Sequence, residues 1–354
     1  MSGIDQGFTP GDPRSKGAIP RRRIPQDWPK DRRFRILSID GGGIKGLFPA
    51  TVLAELEQRY LGGRSVARHF DLITGTSTGG IIALGLGAGL TALNLADIYG
   101  QRGSEIFPEP TRSPIGRMRT WWRAKRHYLH YHYERDALEQ ILTEILGDKP
   151  LGDSIARLCI PAFEGKHSEV FVFKTPHHAD YKFDRFEPMV KVAMATSAAP
   201  TYFRPLEHNG YTLVDGGVWA NNPIMLAVVE ALICFNVGRD QIDVLSLGCG
   251  EDPYIVSQAQ MDVGGTLAWA DVIFAAMRLQ SLSATNQARL LLGPPSVLRI
   301  DPPPNPKPIL LDDLQRSRDE LIPAARNAVD EHGDRIAADF LSSLADVFQA
   351  VSAA

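Results

Sequence analysis

The sequence predicts an α/β fold with three layers, in which a mostly parallel central sheet is covered by helices on both faces. The first observation is that short apolar runs alternate with longer stretches of helical period between residues 32 and 300. The second is that glycine-rich turns directly follow two of these runs, where a parallel strand would lead into a helix. With 354 residues, 44% of them hydrophobic, the chain can bury a substantial core.

Charge and cysteine content exclude several classes of protein. The formal net charge is -3, so attraction to an anionic partner has to come from a local patch, and no DNA or RNA partner is expected. Cys159, Cys234 and Cys249 have no metal-ligand spacing and form no even disulfide framework, which favours a reducing cytoplasm. The first residues lack the apolar core of a signal peptide, so secretion is not expected. Residues 72–96 are uncharged, but their Gly, Thr and Ser favour strand, turn and buried helix over a membrane span.

The N-terminal part of the chain contains an arm and a first glycine-rich turn. Residues 1–31 are rich in Pro, Gly and Arg, which predicts a flexible or loosely docked arm. A strand over 33–40 then ends in the glycine loop, residues 40–46 (DGGGIKG), before a helix over 47–61. The loop matches the dinucleotide spacing G-x-G-x-x-G, and it fails as a P-loop because Leu47 replaces the required Lys. It also fits an oxyanion hole, since consecutive glycines let several N–H groups converge on one point.

A second turn carries a serine that suits a nucleophile. The apolar run 72–74 predicts a buried strand, residues 75–79 match G-x-S-x-G, and residues 80–90 predict a helix. Ser77 would then lie in a tight turn at a helix N-terminus, where its hydroxyl is exposed and developing negative charge is favoured. The chemistry implied is attack on an ester carbonyl. An oxyanion hole at Gly41, Gly42 and Gly43 is the favoured interpretation, because it supplies the donors that such a serine needs.

A predicted helix over 91–102 precedes a basic and aromatic insertion at about 108–133. Between residues 111 and 133 there is no acidic residue, and six basic residues (Arg112, Arg117, Arg119, Arg123, Lys125, Arg126) alternate with five aromatic ones (Trp121, Trp122, Tyr128, Tyr131, Tyr133). Three interpretations stay open: contact with a membrane interface, contact with a nucleotide, and an ordinary surface whose rings pack on the core. His127, His130 and His132 lack a nearby Cys or carboxylate cluster, so no metal site is expected.

The rest of the chain continues the alternation of helices and strands. Helices are predicted over 134–146, 191–199, 222–235 and 267–292, and strands over 157–163, 169–174, 211–214, 242–248 and 297–300. A hairpin turn is predicted at Asn209-Gly210. Residues 301–354 form a C-terminal region packed on the same domain: a stiff proline-rich spacer over 301–308, then helices over 321–331 and 336–351.

A serine nucleophile needs a base, and Asp215 is the candidate. It ends the strand 211–214 and is followed by two glycines, a geometry that aims a carboxylate into a site. The only histidine after it is His332, in a polar helix junction with no sign of burial, so a Ser-His-Asp triad is rejected. A partly buried carboxylate with raised proton affinity can act on Ser77 directly, which gives a Ser-Asp dyad.

Five motifs together resemble the patatin-like phospholipase family over about residues 33–247: 40–46, 75–80 (GTSTGG), 195–200 (ATSAAP), 215–217 (DGG) and 219–223 (WANNP). The resemblance implies Ser77 as nucleophile, Asp215 as base, Gly41, Gly42 and Gly43 as oxyanion hole, and lipid acyl hydrolysis without metal or other cofactor. The chain is also similar to bacterial patatin-like effectors of anti-phage signalling that cyclic nucleotides switch on. The insertion and the region after Gly248 lie outside this pattern.

On this resemblance we expect a phospholipase A type enzyme that cleaves fatty acyl esters of membrane glycerophospholipids through an acyl-Ser77 intermediate. Its expected partners are membrane phospholipid, a cyclic di- or trinucleotide activator near residues 121–126, and a second copy of the chain. Its expected location is the cytoplasm, at the inner face of the membrane. Two alternatives stay open: a nucleotide-binding regulator whose glycine loop holds phosphate, and a carboxylesterase with non-lipid substrates.

Overall fold

The structure, a computed structural model, describes residues 11–14, 23–106, 133, 135–250, 256, 272–304, 307 and 309–351. These residues form a mixed sheet from β1 (Phe34–Ile39), β2 (Leu72–Gly75), β3 (Leu158–Glu164), β4 (Glu169–Lys174), β5 (Leu206–His208), β6 (Tyr211–Asp215), β7 (Ile242–Leu247) and β8 (Val297–Ile300). The strand order is β5-β6-β3-β2-β1-β7-β8, and β4 pairs with β3 off this path.

The centre of the sheet is parallel and one side of it is antiparallel. Strand β1 pairs in parallel with β2 and β7, β2 pairs in parallel with β3, and β7 with β8. Strands β4 and β6 run antiparallel to β3, and β5 and β6 form a hairpin. Its turn residues Asn209 and Gly210 have φ of 49° and 80°, the left-handed values that a tight two-residue hairpin turn requires. The predicted α/β fold is confirmed.

The helices form two layers on the sheet. They are α1 (Leu47–Tyr60), α2 (Thr78–Gly87), α3 (Ala92–Ile106), α4 (Asp136–Leu146), α5 (Met189–Thr196), α6 (Gly217–Ala220), α7 (Ile224–Cys234), α8 (Val272–Leu292) and α9 (Ile322–Ile336). Side chains alternate across a strand, so Leu37 and Ile39 of β1 pack in the layer of α1 to α5 and α9. Phe34 and Ile36 pack in the layer of α7 and α8. Among the described residues, no helix is both long enough and apolar enough to cross a bilayer.

The described part of the N-terminal arm is anchored by an aromatic side chain. Trp28 is buried, with its ring centroid 4.7 Å from that of Phe34 and 5.6 Å from that of Phe235. Gln26 adds two backbone hydrogen bonds, from its N–H to the Cys234 carbonyl at 2.8 Å and from the Asn236 N–H to its own carbonyl at 2.7 Å. The prediction of a flexible or loosely docked arm did not take Trp28 into account. Its buried indole fixes residues 23–30 against the layer of α7 and α8.

The end of the chain differs from the prediction. A helical run begins with Leu314–Arg316, passes through a π-helical turn at Ser317–Leu321 and α9, and ends in a second π-helical turn at Ala337–Leu341. The predicted helix over 336–351 is therefore wrong, because residues 342–351 are not helical. The Arg35 guanidinium donates to the carbonyls of Phe340 and Ser343 at 3.0 and 2.7 Å and so caps the end of the run.

Candidate active site

The carboxyl ends of β1 and β2 bring the two glycine-containing turns together. These strands are parallel neighbours with Ile39 opposite Gly75, so the glycine loop and residues 76–79 leave the same edge of the sheet. A Cβ on Gly41 would lie 3.3 Å from the Cβ of Ser77, so the two turns are in contact there. The fold therefore places the glycine loop beside the candidate nucleophile.

Ser77 occupies a strained, tightly packed turn. Its φ of 54° and ψ of -122° belong to a region that residues with a side chain rarely adopt. Helix α2 begins at the next residue, Thr78, two residues before the predicted start, so Ser77 lies directly at a helix N-terminus. A side chain on Gly75 would overlap the backbone of Gly79, and one on Gly79 would overlap the Ile39 carbonyl. The two glycines of G-x-S-x-G thus let α2 pack closely on β1 and β2.

Asp215 reaches the serine from the antiparallel side of the sheet. It ends β6, where it lies opposite Ala162 of β3, and its N–H donates to the Ala198 carbonyl at 3.1 Å. Its carboxylate accepts a hydrogen bond from the Gly217 N–H at 2.7 Å. The Ser77 hydroxyl lies close enough to this carboxylate to lower the pKa of Asp215. The structure thus brings the two side chains that the sequence pairs as a dyad near each other.

The electrostatic environment of Asp215 favours proton uptake. Burial raises the pKa of Asp215 to about 6, and the neighbouring Ser77 hydroxyl and Gly217 N–H oppose this only in part. Within the part of the chain that the structure describes, neither Lys, Arg nor His forms an ion pair with this carboxylate. The group is therefore ionised at neutral pH but accepts a proton more readily than an exposed aspartate does.

The glycine loop offers two N–H groups rather than three. The Gly41 N–H donates to the Asn221 carbonyl at 3.0 Å, so this predicted oxyanion donor is already engaged. Gly42 is extended, with φ of 178°, and Gly43 has φ of 58°, a left-handed value that favours glycine. The N–H groups of Gly42 and Gly43 donate to none of the other described residues. These two are the donors that remain for a ligand oxygen.

Two residues that position this site received no role in the sequence analysis. The Thr196 hydroxyl accepts a hydrogen bond from the Ser77 N–H at 3.1 Å and donates to the Pro161 carbonyl at 2.6 Å, which fixes the strained turn. Asn221 fixes Gly41 through its backbone carbonyl. Thr196 lies in motif 195–200 and Asn221 in motif 219–223, and both motifs support the family resemblance. Membership in these motifs was the sequence signal that could have identified the two residues.

A second buried polar cluster lies on β3, β4 and α7, away from this site. Donor atoms of Cys159, His177 and Glu230 all lie within 4.8 Å of one another, the spacing of a candidate metal site. However, Lys174 Nζ lies 2.6 Å from Glu230 Oε2, and His177 Nε2 lies 3.1 Å from Glu230 Oε1. Burial would raise the pKa of Glu230, but His177 and Lys174 hold it well below its usual range. The Lys174 ammonium already neutralises the carboxylate, so this donor set fits a buried ion pair better than a metal ion.

The basic and aromatic insertion, with its three histidines, lies outside the described residues except for Tyr133. The Tyr133 hydroxyl donates to the Asp312 carboxylate at 2.8 Å, and its N–H donates to the Tyr202 carbonyl at 3.0 Å. The C-terminal end of the insertion is thus attached to the segment 309–313. That segment touches the glycine loop, since the Ile44 N–H donates to the Leu311 carbonyl at 2.8 Å.

Comparison with known proteins adds a family match. The family model described as patatin-like phospholipase matches residues 37–228, more than half of the chain. A cGAMP-activated phospholipase of Pseudomonas aeruginosa (strain BWHPSA011 / Pa011) is 37% identical over 216 residues, covering 61% of this chain and 62% of that protein. A protein of the same name from Vibrio cholerae is 38% identical over 210 residues, covering 56% of this chain and 58% of its own length. This chain thus spans less than two thirds of the length of these relatives.

Several solved structures are similar over most of the chain. VipD from Legionella pneumophila has a TM-score of 0.43 at 13% sequence identity, covering 86% of this chain and 67% of that chain.

Proposed function

The chain belongs to the patatin-like phospholipase family, and from that premise we propose that it hydrolyses fatty acyl esters of membrane glycerophospholipids as a phospholipase of the A type. The observation that carries the proposal is the proximity of the Ser77 hydroxyl to the buried carboxylate of Asp215, whose pKa it lowers. A serine on a strained turn at a helix N-terminus, beside a base, is the arrangement of an acyl-transfer nucleophile. The phospholipase names of the two bacterial relatives support a lipid substrate.

The first half of the proposed reaction acylates the enzyme. Ser77 Oγ attacks the carbonyl carbon of the ester while its proton passes to the Asp215 carboxylate. The oxyanion of the tetrahedral intermediate accepts hydrogen bonds from the N–H groups of Gly42 and Gly43, each worth about 3 kcal/mol of the barrier. The intermediate then collapses, and Asp215 returns the proton to the departing alcohol, which leaves as a lysophospholipid.

The second half regenerates the free enzyme. A water molecule attacks the acyl-Ser77 ester and gives its proton to Asp215, and the same two N–H groups stabilise the second oxyanion. The fatty acid leaves when Ser77 Oγ takes the proton back. A base with a pKa of about 6 suits both steps. It is ionised at neutral pH, and the free-energy cost of protonating it at that pH is small.

We extend the proposal to regulation and location. A phospholipase that acted without control would damage its own membrane, so an anionic cyclic di- or trinucleotide activator is proposed, as the relatives' printed names suggest. The six basic residues between 112 and 126 supply the charge that such a ligand and the inner face of the membrane both require. In this view the enzyme degrades membrane lipid during anti-phage defence. A nucleotide-binding role for the glycine loop would leave the placement of Ser77 beside the buried Asp215 without a purpose.

Mass spectrometry of lipids tests the proposal. Liposomes of mixed phospholipids are incubated with the wild type and with Ser77→Ala, with and without a panel of cyclic di- and trinucleotides. We expect fatty acid and lysophospholipid from the wild type and none above background from Ser77→Ala. Ser283→Ala is the matched control, since this serine lies on the exposed face of α8, where it accepts a hydrogen bond from Gln287 at 3.3 Å.

Two outcomes would contradict separate parts of the proposal. Equal release by wild type and Ser77→Ala would end the serine mechanism. Fatty-acid release that is identical with and without every nucleotide of the panel would contradict the proposed activation but not the proposed hydrolase activity. Hydrolysis of small water-soluble esters with no release from any liposome would favour the non-lipid carboxylesterase.

A further inference from the structure

A buried arginine from the C-terminal part of the chain is paired with the first residue of the glycine loop. Arg299 lies on β8, and its side chain is 9% exposed. Its Nη1 and Nη2 donate to Asp40 Oδ1 and Oδ2 at 2.9 and 2.7 Å, so both carboxylate oxygens of Asp40 are engaged. The same guanidinium donates twice to the Asp301 carboxylate at 2.7 Å and to the Ser246 hydroxyl at 2.9 Å.

We propose that Arg299 is a positioning residue that holds the glycine loop in the geometry required for oxyanion binding. Asp40 directly precedes Gly41, and a planar guanidinium that binds both oxygens fixes the plane of the carboxylate as well as its position. The orientation of Asp40 sets the direction in which the loop leaves β1. The positions of the N–H groups of Gly42 and Gly43 therefore depend on Arg299. This inference rests on the proposed function.

The surroundings of the pair leave little room for another arrangement. Burial works against the charged Arg299, but the carboxylates of Asp40 and Asp301 hold the pKa of its guanidinium well above the usual value. A side chain on Gly248 would overlap both Arg299 and Asp301, so the close approach of β7 and β8 requires glycine at this position. Asp40 is further fixed by its N–H, which donates to the Leu247 carbonyl at 3.0 Å.

A second contact from the same part of the chain holds the other end of the loop. The Leu311 carbonyl accepts the Ile44 N–H at 2.8 Å, and a side chain on Gly43 would overlap this carbonyl. Both Arg299 and Leu311 lie beyond residues 37–228, the range of the family match. Strand β8 and segment 309–313 thus complete a site whose reacting groups lie within the matched range.

The free energies of ion pairing and of oxyanion binding indicate that Arg299 positions the loop rather than mainly stabilising the fold. The attraction within a buried ion pair is largely offset by the loss of hydration of both groups, so its net contribution to folding is small. An oxyanion donor, by contrast, acts only when it lies within hydrogen-bonding distance of the developing charge, and a displacement of about 1 Å can reduce the rate about 100-fold. Removal of the guanidinium alone would leave the Asp40 carboxylate buried without a partner and would destabilise the fold, so a test of the geometric role has to keep the charge at position 299 or remove both charges.

The test is Arg299→Lys, which keeps the charge but cannot bind both oxygens of Asp40 and Asp301 together. Its matched control is Arg33→Lys, the same change in an arginine that pairs with Asp243 at the opposite end of β1 and β7. A double variant, Asp40→Asn with Arg299→Gln, removes both charges and so leaves no unpaired buried ion if Arg299→Lys folds poorly. The readouts are kcat and KM for a water-soluble p-nitrophenyl ester, and amide hydrogen exchange of residues 40–46 without substrate.

We expect Arg299→Lys and the double variant to lower kcat about 10- to 100-fold while KM changes by less than about twofold. Amide exchange of residues 40–46 should become faster in both, and Arg33→Lys should match the wild type in every readout. A folded Arg299→Lys with wild-type kcat and wild-type exchange of the loop would overturn the inference, as would a loss confined to KM. If the wild type is as inactive as Ser77→Ala, the proposed function fails, and the exchange experiment alone decides whether Arg299 holds the loop.

Discussion

Two buried carboxylates in this molecule have opposite proton affinities. Asp215 and Glu230 are both shielded from water. Glu230 lies against the Lys174 ammonium and His177, and its pKa is held well below the usual range despite its burial. Asp215 lies beside the Ser77 hydroxyl and the Gly217 N–H, no Lys, Arg or His of the described residues forms an ion pair with it, and burial raises its pKa to about 6. At Glu230 the neighbouring cations outweigh the effect of burial on the pKa, whereas at Asp215 burial outweighs the effect of the hydrogen-bond donors.

The local sequence explains why the two groups differ. Glu230 lies inside helix α7, where Lys174 of β4 and Tyr181 of the segment after β4 donate to its oxygens. Asp215 lies at the end of a strand, and a side chain on the following Gly216 would overlap the Pro161 carbonyl. The first environment is that of a structural ion pair, and the second is that of a base.

The largest expected effect is the loss of catalysis in Asp215→Asn. The amide keeps the shape and the hydrogen bond from Gly217 but cannot take the Ser77 proton, so kcat/KM should fall about 10²- to 10⁴-fold. Ester hydrolysis by the purified protein measures this, and Asp97→Asn, an exposed aspartate on α3, is the matched control. Wild-type rates in a folded Asp215→Asn protein would refute the assignment of Asp215 as base.

Glu230→Gln should instead affect stability and leave catalysis intact. Removing the negative charge leaves the largely buried Lys174 ammonium without its counterion, which should lower the free energy of unfolding by about 3 kcal/mol. Chemical denaturation measures the change, and the rate per folded molecule should equal that of the wild type. A loss of kcat with unchanged stability would show that the two carboxylates are coupled and that Glu230 is more than a structural ion-pair partner.

The sequence reveals the parts of this site that depend on short patterns. Strands β1, β2 and β6, the turn at Ser77 and the placement of Asp215 follow from apolar runs, glycine spacing and strand ends, all within a few residues of each other. The helical start at Thr78 is within two residues of the predicted one. The oxyanion interpretation of the glycine loop also came from a local pattern, although the pattern gave Gly41 a donor role for which its N–H is not free.

The remaining features depend on partners that are distant in the sequence. Arg299 and Asp40 are 259 residues apart, and no local pattern connects them. Arg35 ends the C-terminal helical run from 305 residues away, so the apolar period that predicted a helix over 336–351 could not show where it stops. The same holds for Lys174 and Glu230, which are 56 residues apart and whose pairing decides the character of that cluster.

A smaller effect should appear in the stability of Asp215→Asn. For an acid whose pKa is raised on folding, the folded state binds the proton more tightly, so stability falls as pH rises from about 4 to about 6. At neutral pH the variant avoids this penalty and should be more stable than the wild type by roughly 2 to 3 kcal/mol. Thermal unfolding at pH 7.5 and at pH 4 measures the difference, most of which should be lost at the lower pH. A variant that is less stable at both pH values would mean that the charged carboxylate is favourably solvated by groups around it.

The smallest expected effect is the acidic limb of the pH profile. Only ionised Asp215 can take the Ser77 proton, so kcat/KM should be constant above its pKa of about 6 and fall about tenfold for each pH unit below it. Glu230 keeps its charge throughout this range, so Glu230→Gln should show the same profile, measured with a p-nitrophenyl ester between about pH 5 and pH 8. If the limb lay near pH 4 instead, Asp215 would have the proton affinity of an exposed aspartate. Burial would then not raise the pKa of this base. The difference in pKa between the two carboxylates would be due to their hydrogen-bond and ion-pair partners alone.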